Sequence, residues 1–214
     1  MIPAVLTEKP VWCIIACIFG YLVGSISSGI LISKAFNGPD LRTVGSGNTG
    51  ASNVQRTMGW KYGLLTFVAD MLKGIIACLA GQLMTGDLMG ALMGGFFAVI
   101  GHNWPVFFGF KGGKGVSTSC GVLCYCFPLI GLICVAVTVA VIAWKRYISL
   151  GSMVLVSLYA VLVSITYQGD WKPFVITWCV LLALICIGRH HENIVRLLNG
   201  TENKLGSKKT ESGK

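Results

Sequence analysis

Six apolar blocks alternate with short polar stretches along the chain, at 11–33, 63–83, 86–104, 118–142, 148–168 and 173–188. Crossing a hydrocarbon core of ~30 Å takes roughly 20 residues of helix, so each block except the last reaches or exceeds a span, and the last nearly does. The pattern predicts an all-α polytopic membrane protein. The first block is too long for a removable leader and lacks its basic start and small-residue cleavage site, so it is read as a true first span.

The polar stretches carry the orientation. Segment 34–62 has Lys34, Arg42, Arg56 and Lys61 against Asp40, whereas 85–87 has no basic residue and 168–172 only Lys172. The positive-inside tendency puts 34–62 in the cytoplasm, together with Lys111, Lys114, Arg189 and Arg196. Block 118–142 breaks the alternation: as a single span it would carry Lys145 and Arg146 outside. Pro128 and Gly131 near its middle predict instead a broken pair that enters and returns. The expectation is seven transmembrane helices, some short or broken, with the N-terminus outside and the C-terminus cytoplasmic. All 17 basic residues except Lys9, Lys73 and Lys172 then lie inside. Residues 1–205 read as one membrane domain and 206–214 as a disordered basic tail.

Composition agrees. Of 214 residues, 54% are apolar and 12% charged, with a mean hydropathy of +0.74; a soluble domain carries about 25% charged residues. The net charge of +9 is spread over short loops rather than gathered in a stripe, which argues for topology and against nucleic acid. Nine cysteines, nearly all within apolar blocks and without a Cys-x-x-Cys pair, are read as small buried hydrophobes rather than disulfides or metal ligands.

Three glycine-rich polar segments carry the candidate chemistry. The first runs from Gly45 to Arg56 and includes Ser46, Gly47, Asn48 and Asn53. Its formal Gly-x-Gly-x-x-Gly lacks the preceding strand of a dinucleotide site, but successive N–H groups in such a turn form an anion-binding nest, and Arg56 adds a fixed charge for phosphate. A plain interhelical loop with Arg56 as topology anchor fits equally. The second runs from His102 to Thr118 and contains Lys111-Gly112-Gly113-Lys114-Gly115. Gly115 stands where a nucleotide-binding P-loop needs Ser or Thr, which excludes nucleotide hydrolysis and leaves a flexible loop with two cations; Lys111 also fits an interfacial anchor and His102 a helix-end residue. The third runs from Gly188 to Glu202, continuing the last span as an amphipathic interfacial helix with His190 and Asn193 on one face. Asp70 and Lys73 share a face within a span, as a structural ion pair or a functional one. No Gly-x-Ser-x-Gly nucleophile elbow, no His-x4-Asp and no metal-ligand spacing occurs.

Together these segments resemble the acyl-phosphate-dependent glycerol-3-phosphate acyltransferases of bacterial membranes. That family carries Gly-Ser-Gly-Asn-x-Gly…Asn-Val-x-Arg, His-x-x-Pro…Gly-Gly-Lys-Gly-Val and Gly-Arg-His-x-x-Asn-Ile-x-Arg, matched here at Gly45–Arg56, His102–Thr118 and Gly188–Glu202. Asp70 to Gly74 agrees as well; Ser52 and Ser117 replace the usual Thr and Ala. The resemblance implies a multi-pass enzyme of the bacterial inner membrane with a cytoplasmic site. It would move a fatty acyl group from acyl phosphate to the 1-hydroxyl of glycerol 3-phosphate, releasing lysophosphatidate and inorganic phosphate, without cofactor or metal. By carry-over, Ser46, Arg56, Lys114, His190 and Asn193 serve catalysis. Gly45, Gly47, Asn48, Asn53, Lys111, Gly112 and Gly113 bind substrate, and Asp70, Lys73, His102 and Glu202 support them. The alternative is a membrane transporter for an organic phosphate, which would place its substrate near the midplane between repeats; no repeat is visible.

Overall fold

The computed structural model describes residues 3–169 and 171–206; the predicted tail lies outside the described residues but for Gly206. The elements follow in the order α1 (Ala4–Glu8), α2 (Pro10–Gly24), α3 (Ser28–Ala35), α4 (Ala51–Met58), α5 (Trp60–Thr85), α6 (Leu88–Asn103), a 3-10 turn (Val106–Phe108), α7 (Val116–Cys126), α8 (Pro128–Lys145), α9 (Ile148–Thr166), α10 (Lys172–Gly188) and α11 (His191–Leu198). Among the described residues every regular element is helical, the form in which an apolar chain meets its backbone hydrogen-bond demand inside lipid.

Five stretches are long and apolar enough to cross a membrane: Pro10–Ala35, Trp60–Thr85, Leu88–Phe108, Pro128–Lys145 and Ile148–Thr166. A sixth is reached when α10 and α11, joined at a 60° bend, are taken together as one broken span. Helix α7 is apolar but has 11 residues, about 16 Å at 1.5 Å per residue, half the core. The 118–142 block is indeed two helices. The break falls at Phe127–Pro128, and Gly131 sits in the second helix, where a Cβ would lie 3.0 Å from the Cys124 Cα. A continuous helix would hold residues seven apart at about 10 Å, so the chain doubles back. The first span, expected to be unbroken, is interrupted at Ser25–Ser27, and the freed Ile26 carbonyl accepts from Lys73 Nζ at 2.8 Å.

The bundle buries a set of polar groups beside its apolar core and exposes large apolar side chains. Ser25, Thr66, Asp70, Lys73 and Asn103 are buried, while Leu83, Leu129, Trp144 and Ile165 are exposed, as a hydrocarbon surround requires. Helices α2 and α5 both pack on α6, and α7 packs on α5. Between α2 and α6 the backbones nearly touch: a Cβ at Gly20 would stand 2.2 Å from the Gly94 carbonyl oxygen and one at Gly24 2.1 Å from that of Ala98. Small residues at such a seam are the membrane route to close packing. The apolar core continues through Leu123, Val156, Tyr159, Val163 and Val175.

Contacts sort the turns between two ends of the bundle. At one end Lys9 bonds the Thr85 carbonyl (2.8 Å), Tyr125 bonds Gln82 (2.7 Å) and Phe127 stacks edge-on with Tyr167. At the other, Asn48 reaches Gly112, Arg189 reaches Gly113 and the Lys145–Tyr147 turn receives the chain beyond α11. There Leu205 N bonds Arg146 O (2.6 Å), and Arg146 Nη2 bonds Leu205 O (2.7 Å). The three motif segments and the Lys145–Arg146 turn therefore share one end.

Candidate active site

The first motif folds around Asn53. Its Oδ1 accepts from Ser46 N (2.9 Å), and its Nδ2 donates to the carbonyls of Leu41, Val44 and Asn48 (3.1, 3.1 and 2.8 Å). The buried amide is thus committed to the loop, which it curls above the start of α4. Gly45 lies in the left-handed region (φ 64°), and a Cβ there would come within 2.1 Å of Asn53 Oδ1, so glycine is required by both backbone and space. The curl leaves Gly45, Ser46 and Gly47 exposed. Asn48 is pinned to Gly50 N (2.9 Å) and touches the Gly112 carbonyl (3.5 Å), joining the first motif to the second.

The second motif starts where α6 ends, just before Pro105, which disfavours helix in the residue preceding it. His102, Lys73 and Asp70 form a buried cluster below it: Lys73 Nζ lies 2.8 Å from Asp70 Oδ1 and 2.9 Å from His102 Nδ1. An ammonium only donates, so Nδ1 accepts and Nε2 carries the ring proton. Gly113 closes over this ring: its N–H bonds the His102 carbonyl (2.9 Å), and a Cβ would stand 1.9 Å from Nε2. The Asp70–Lys73 pair is therefore the foundation on which the glycine loop rests.

The loop's two lysines go separate ways. Lys111 is exposed. Lys114 is half-buried and donates to Asn193 Oδ1 on α11. Asn193 in turn donates to Glu202 Oε1 (2.8 Å), which also accepts from Ser149 Oγ (2.9 Å), while Arg196 Nε bonds Glu202 Oε2 (2.8 Å). Burial alone would raise the Glu202 carboxyl; the bonds from Arg196, Asn193 and Ser149 bring it below its ordinary value. Burial, with Arg196 nearby, pushes Lys114 down to about 8. Arg56 lies within the field of Glu202 and Arg196, which brings the first motif to the third. Arg189 bonds the Gly113 carbonyl through Nε and Nη2 (3.2 and 3.0 Å).

His190 is buried at the α10–α11 bend. Its Nδ1 lies 2.7 Å from the Cys186 carbonyl; a carbonyl only accepts, so Nδ1 carries the proton and Nε2 keeps a lone pair. Burial, with Lys114 and Arg189 near, lowers its pKa to about 4, leaving the ring neutral. The assembled site thus sets Arg56, Lys114, Arg189 and Arg196 against Glu192 and Glu202, beside a neutral imidazole with a free acceptor. Arg189, Arg196 and Ser149 were not among the sequence candidates. Both arginines lie within the third motif, where they were counted as topology charges, whereas nothing in the sequence marks Ser149. Lys111 stands apart from this group, and among the described residues the constellation of Arg56, Lys114, Arg189, His190, Asn193 and Glu202 sits at one end of the bundle.

Comparison with known proteins agrees with this geometry. The profile described as glycerol-3-phosphate acyltransferase matches residues 14–200. A glycerol-3-phosphate acyltransferase of Halalkalibacterium halodurans is 42% identical over 192 residues, covering 88% of this chain and 93% of that one. One from Aquifex aeolicus is 43% identical over 190 residues, covering 88% and 96%. Among solved structures, PlsY, an integral membrane glycerol 3-phosphate acyltransferase, superposes in its glycerol 3-phosphate form with a TM-score of 0.84. The two are 41% identical, over 91% of this chain and 96% of that one. Its lysophosphatidic acid form gives 0.82 at 39% identity, over 91% and 95%. With the profile spanning most of its length and relatives this similar along nearly all of theirs, the chain belongs to the glycerol-3-phosphate acyltransferase family.

Proposed function

We propose that this chain transfers a fatty acyl group from acyl phosphate to the 1-hydroxyl of glycerol 3-phosphate, giving lysophosphatidate and inorganic phosphate. The carrying observation is the meeting of Lys114, Asn193 and Glu202 beside neutral His190, with Arg56 in reach. Two phosphate-bearing substrates repel each other, and a cationic site offsets that repulsion while it fixes their orientation. The donor is a mixed anhydride whose leaving group departs readily, so no protein nucleophile is needed, and the sequence has no motif that supplies one. The hydroxyl oxygen attacks the acyl carbon, the bond from that carbon to the phosphate oxygen breaks, and the phosphate leaves with its electron pair. His190 Nε2 accepts the hydroxyl proton. Entering phosphates offset the field of Lys114 and Arg189 and raise the imidazole's proton affinity as they arrive. Lys114 and Arg56 hold phosphate, the Gly45–Asn48 turn and Gly112–Gly113 supply N–H groups, Asn53 shapes the first loop, and Glu202 orients Asn193.

In the same proposal residues 1–205 form one domain of seven membrane helices, counting α7 and α10, in the bacterial inner membrane. The N-terminus is outside and the motif end cytoplasmic, where 34–62 and 189–196 carry their basic residues. The test is purified protein with palmitoyl phosphate and glycerol 3-phosphate, following phosphate release and lysophosphatidate. Turnover is expected with acyl phosphate; equal rates with palmitoyl-coenzyme A, or none with acyl phosphate, would refute the donor assignment.

A further inference from the structure

Helix α8 ends on a backbone conformation that arginine seldom adopts. Arg146, its C-terminal cap, sits in the left-handed region (φ 62°, ψ 18°), where glycine is the usual occupant because a Cβ crowds the following carbonyl oxygen. The cap's own backbone bond, from its N–H to the Ile142 carbonyl (2.7 Å), would form as well with glycine. What glycine lacks is the side chain. Arg146 Nε and Nη2 both donate to the Leu205 carbonyl (3.1 and 2.7 Å), and Leu205 N donates back to the Arg146 carbonyl (2.6 Å). We infer that Arg146 is a positioning residue for acyl transfer: its grip on Leu205 holds the segment 201–205 so that Glu202 can fix Asn193 and, through it, Lys114. This assignment rests on the reaction proposed above.

The segment is a short strap pinned at both ends. It starts where α11 stops: Gly200 turns the chain (φ 69°), and the N–H groups of Gly200 and Thr201 bond the carbonyls of Leu197 and Arg196 (3.2 and 2.8 Å), the paired bonds that close many helices. It ends at Leu205, after which Gly206 turns the chain again (φ 77°), its Cβ position 3.2 Å from Arg146 Nη2. Between the pins lies Glu202, whose carboxylate accepts from Ser149, Asn193 and Arg196. Its neighbours Thr201, Asn203 and Lys204 are exposed, so no apolar core seats the strap. A stretch with few buried contacts opens locally at low cost, and the bonds at Leu205 then govern how firmly Glu202 stays in place.

The grip also ties the site to a helix that takes no other part in it. Within α8 Gly131 and Cys134 are buried, while Leu129, Leu132, Val139 and Trp144 are exposed, and the helix packs chiefly on α7 and α9. Its C-terminal turn nonetheless reaches Lys114 through groups in series: Arg146 to Leu205, along the strap to Glu202, then Asn193 and Lys114. An arginine kept in a conformation that favours glycine, with its guanidinium spent on one carbonyl of this strap, is strain offset by what the side chain holds.

The test is Arg146→Gly, which suits the left-handed backbone and keeps the bond from Leu205 N while deleting the guanidinium. Tryptic cleavage after Lys204, followed by mass spectrometry on the protein in detergent, is expected to quicken about five-fold or more. KM for glycerol 3-phosphate should rise about five- to ten-fold, with kcat within about two-fold of the parent and the thermal midpoint unchanged. In a Glu202→Ala background the same substitution should change KM by less than about two-fold, because the link it cuts is already broken. Unchanged cleavage overturns the assignment. So does a fall in kcat at unchanged KM, which a smaller folded fraction would give. An equal rise in KM with Lys145→Gln, which removes the neighbouring charge and leaves the grip, also overturns it and would make this turn a site for anionic lipid headgroups. Should the parent turn over palmitoyl-coenzyme A and not palmitoyl phosphate, the donor assignment falls, and the comparison of KM for glycerol 3-phosphate, run with that donor, still tests the Arg146 grip.

Discussion

At the scale of single residues, the consequential arrangement is a neutral histidine beside a softened lysine. With Nδ1 tied to the Cys186 carbonyl, His190 offers one acceptor to one hydroxyl. In the proposed reaction its contribution belongs to the transition state and so to kcat: His190→Ala should lower kcat by roughly 10²–10⁴ and leave KM for glycerol 3-phosphate nearly unchanged. A near-normal kcat would move the proton to a substrate phosphate. Lys114, lowered to about 8, is charged below that pH and loses its proton above it. In the free enzyme kcat/KM should therefore fall as pH rises through about 8, and Lys114→Arg, which stays charged, should abolish that limb. An unchanged limb would place the titration elsewhere. Gly113 tests the foundation beneath the loop. A methyl group there collides with a His102 ring that Lys73 already grips, so the loop must give way; Gly113→Ala should raise KM for glycerol 3-phosphate about ten- to a hundred-fold, with a smaller effect on kcat.

At the scale of elements, the segment beyond α11 does more than end the bundle. Glu202 is buried and accepts from Ser149 on α9, from Asn193 on α11 and from Arg196, clamping two helices through one carboxylate. Removing it strands three donors, so Glu202→Ala should cost about 2–4 kcal/mol, read as a lower thermal midpoint in detergent, and should also lower activity by freeing Asn193. A midpoint unchanged while activity falls would give Glu202 a direct chemical role instead. The elements themselves were legible because apolar length is a strong signal: the five long spans and α10 fall on the six blocks, and Pro128 marks the break before α8. What stayed hidden has a common cause. The Ser25–Ser27 break carries no proline or charge, since Lys73, 47 residues away, satisfies the opened carbonyl. Ser149, likewise, is an ordinary small residue until Glu202 folds against it. Asn53 read as a ligand from its motif, yet its amide is spent on the loop, a distinction that only three-dimensional hydrogen-bond partners reveal.

For the whole molecule, the two ends of the bundle differ in charge and in content. The motif loops, the Lys145–Arg146 turn and the segment through Leu205 gather at one end, while Lys9, Thr85 and Tyr167 mark the other. In the proposed orientation a Lys145→Cys protein in inside-out vesicles should react with a membrane-impermeant maleimide, and the same protein in intact cells should not. The reverse pattern would invert the topology. With the candidate site at one end, the proposed reaction would be asymmetric with respect to the bilayer. In the proposed reaction and orientation each turnover would add a single-chain lipid to one leaflet only, so that monolayer would gain area and lateral pressure while its partner would not. A membrane supplied this way would bend or stall unless lipid crossed to the other side, so net growth would depend on trans-bilayer movement of the product.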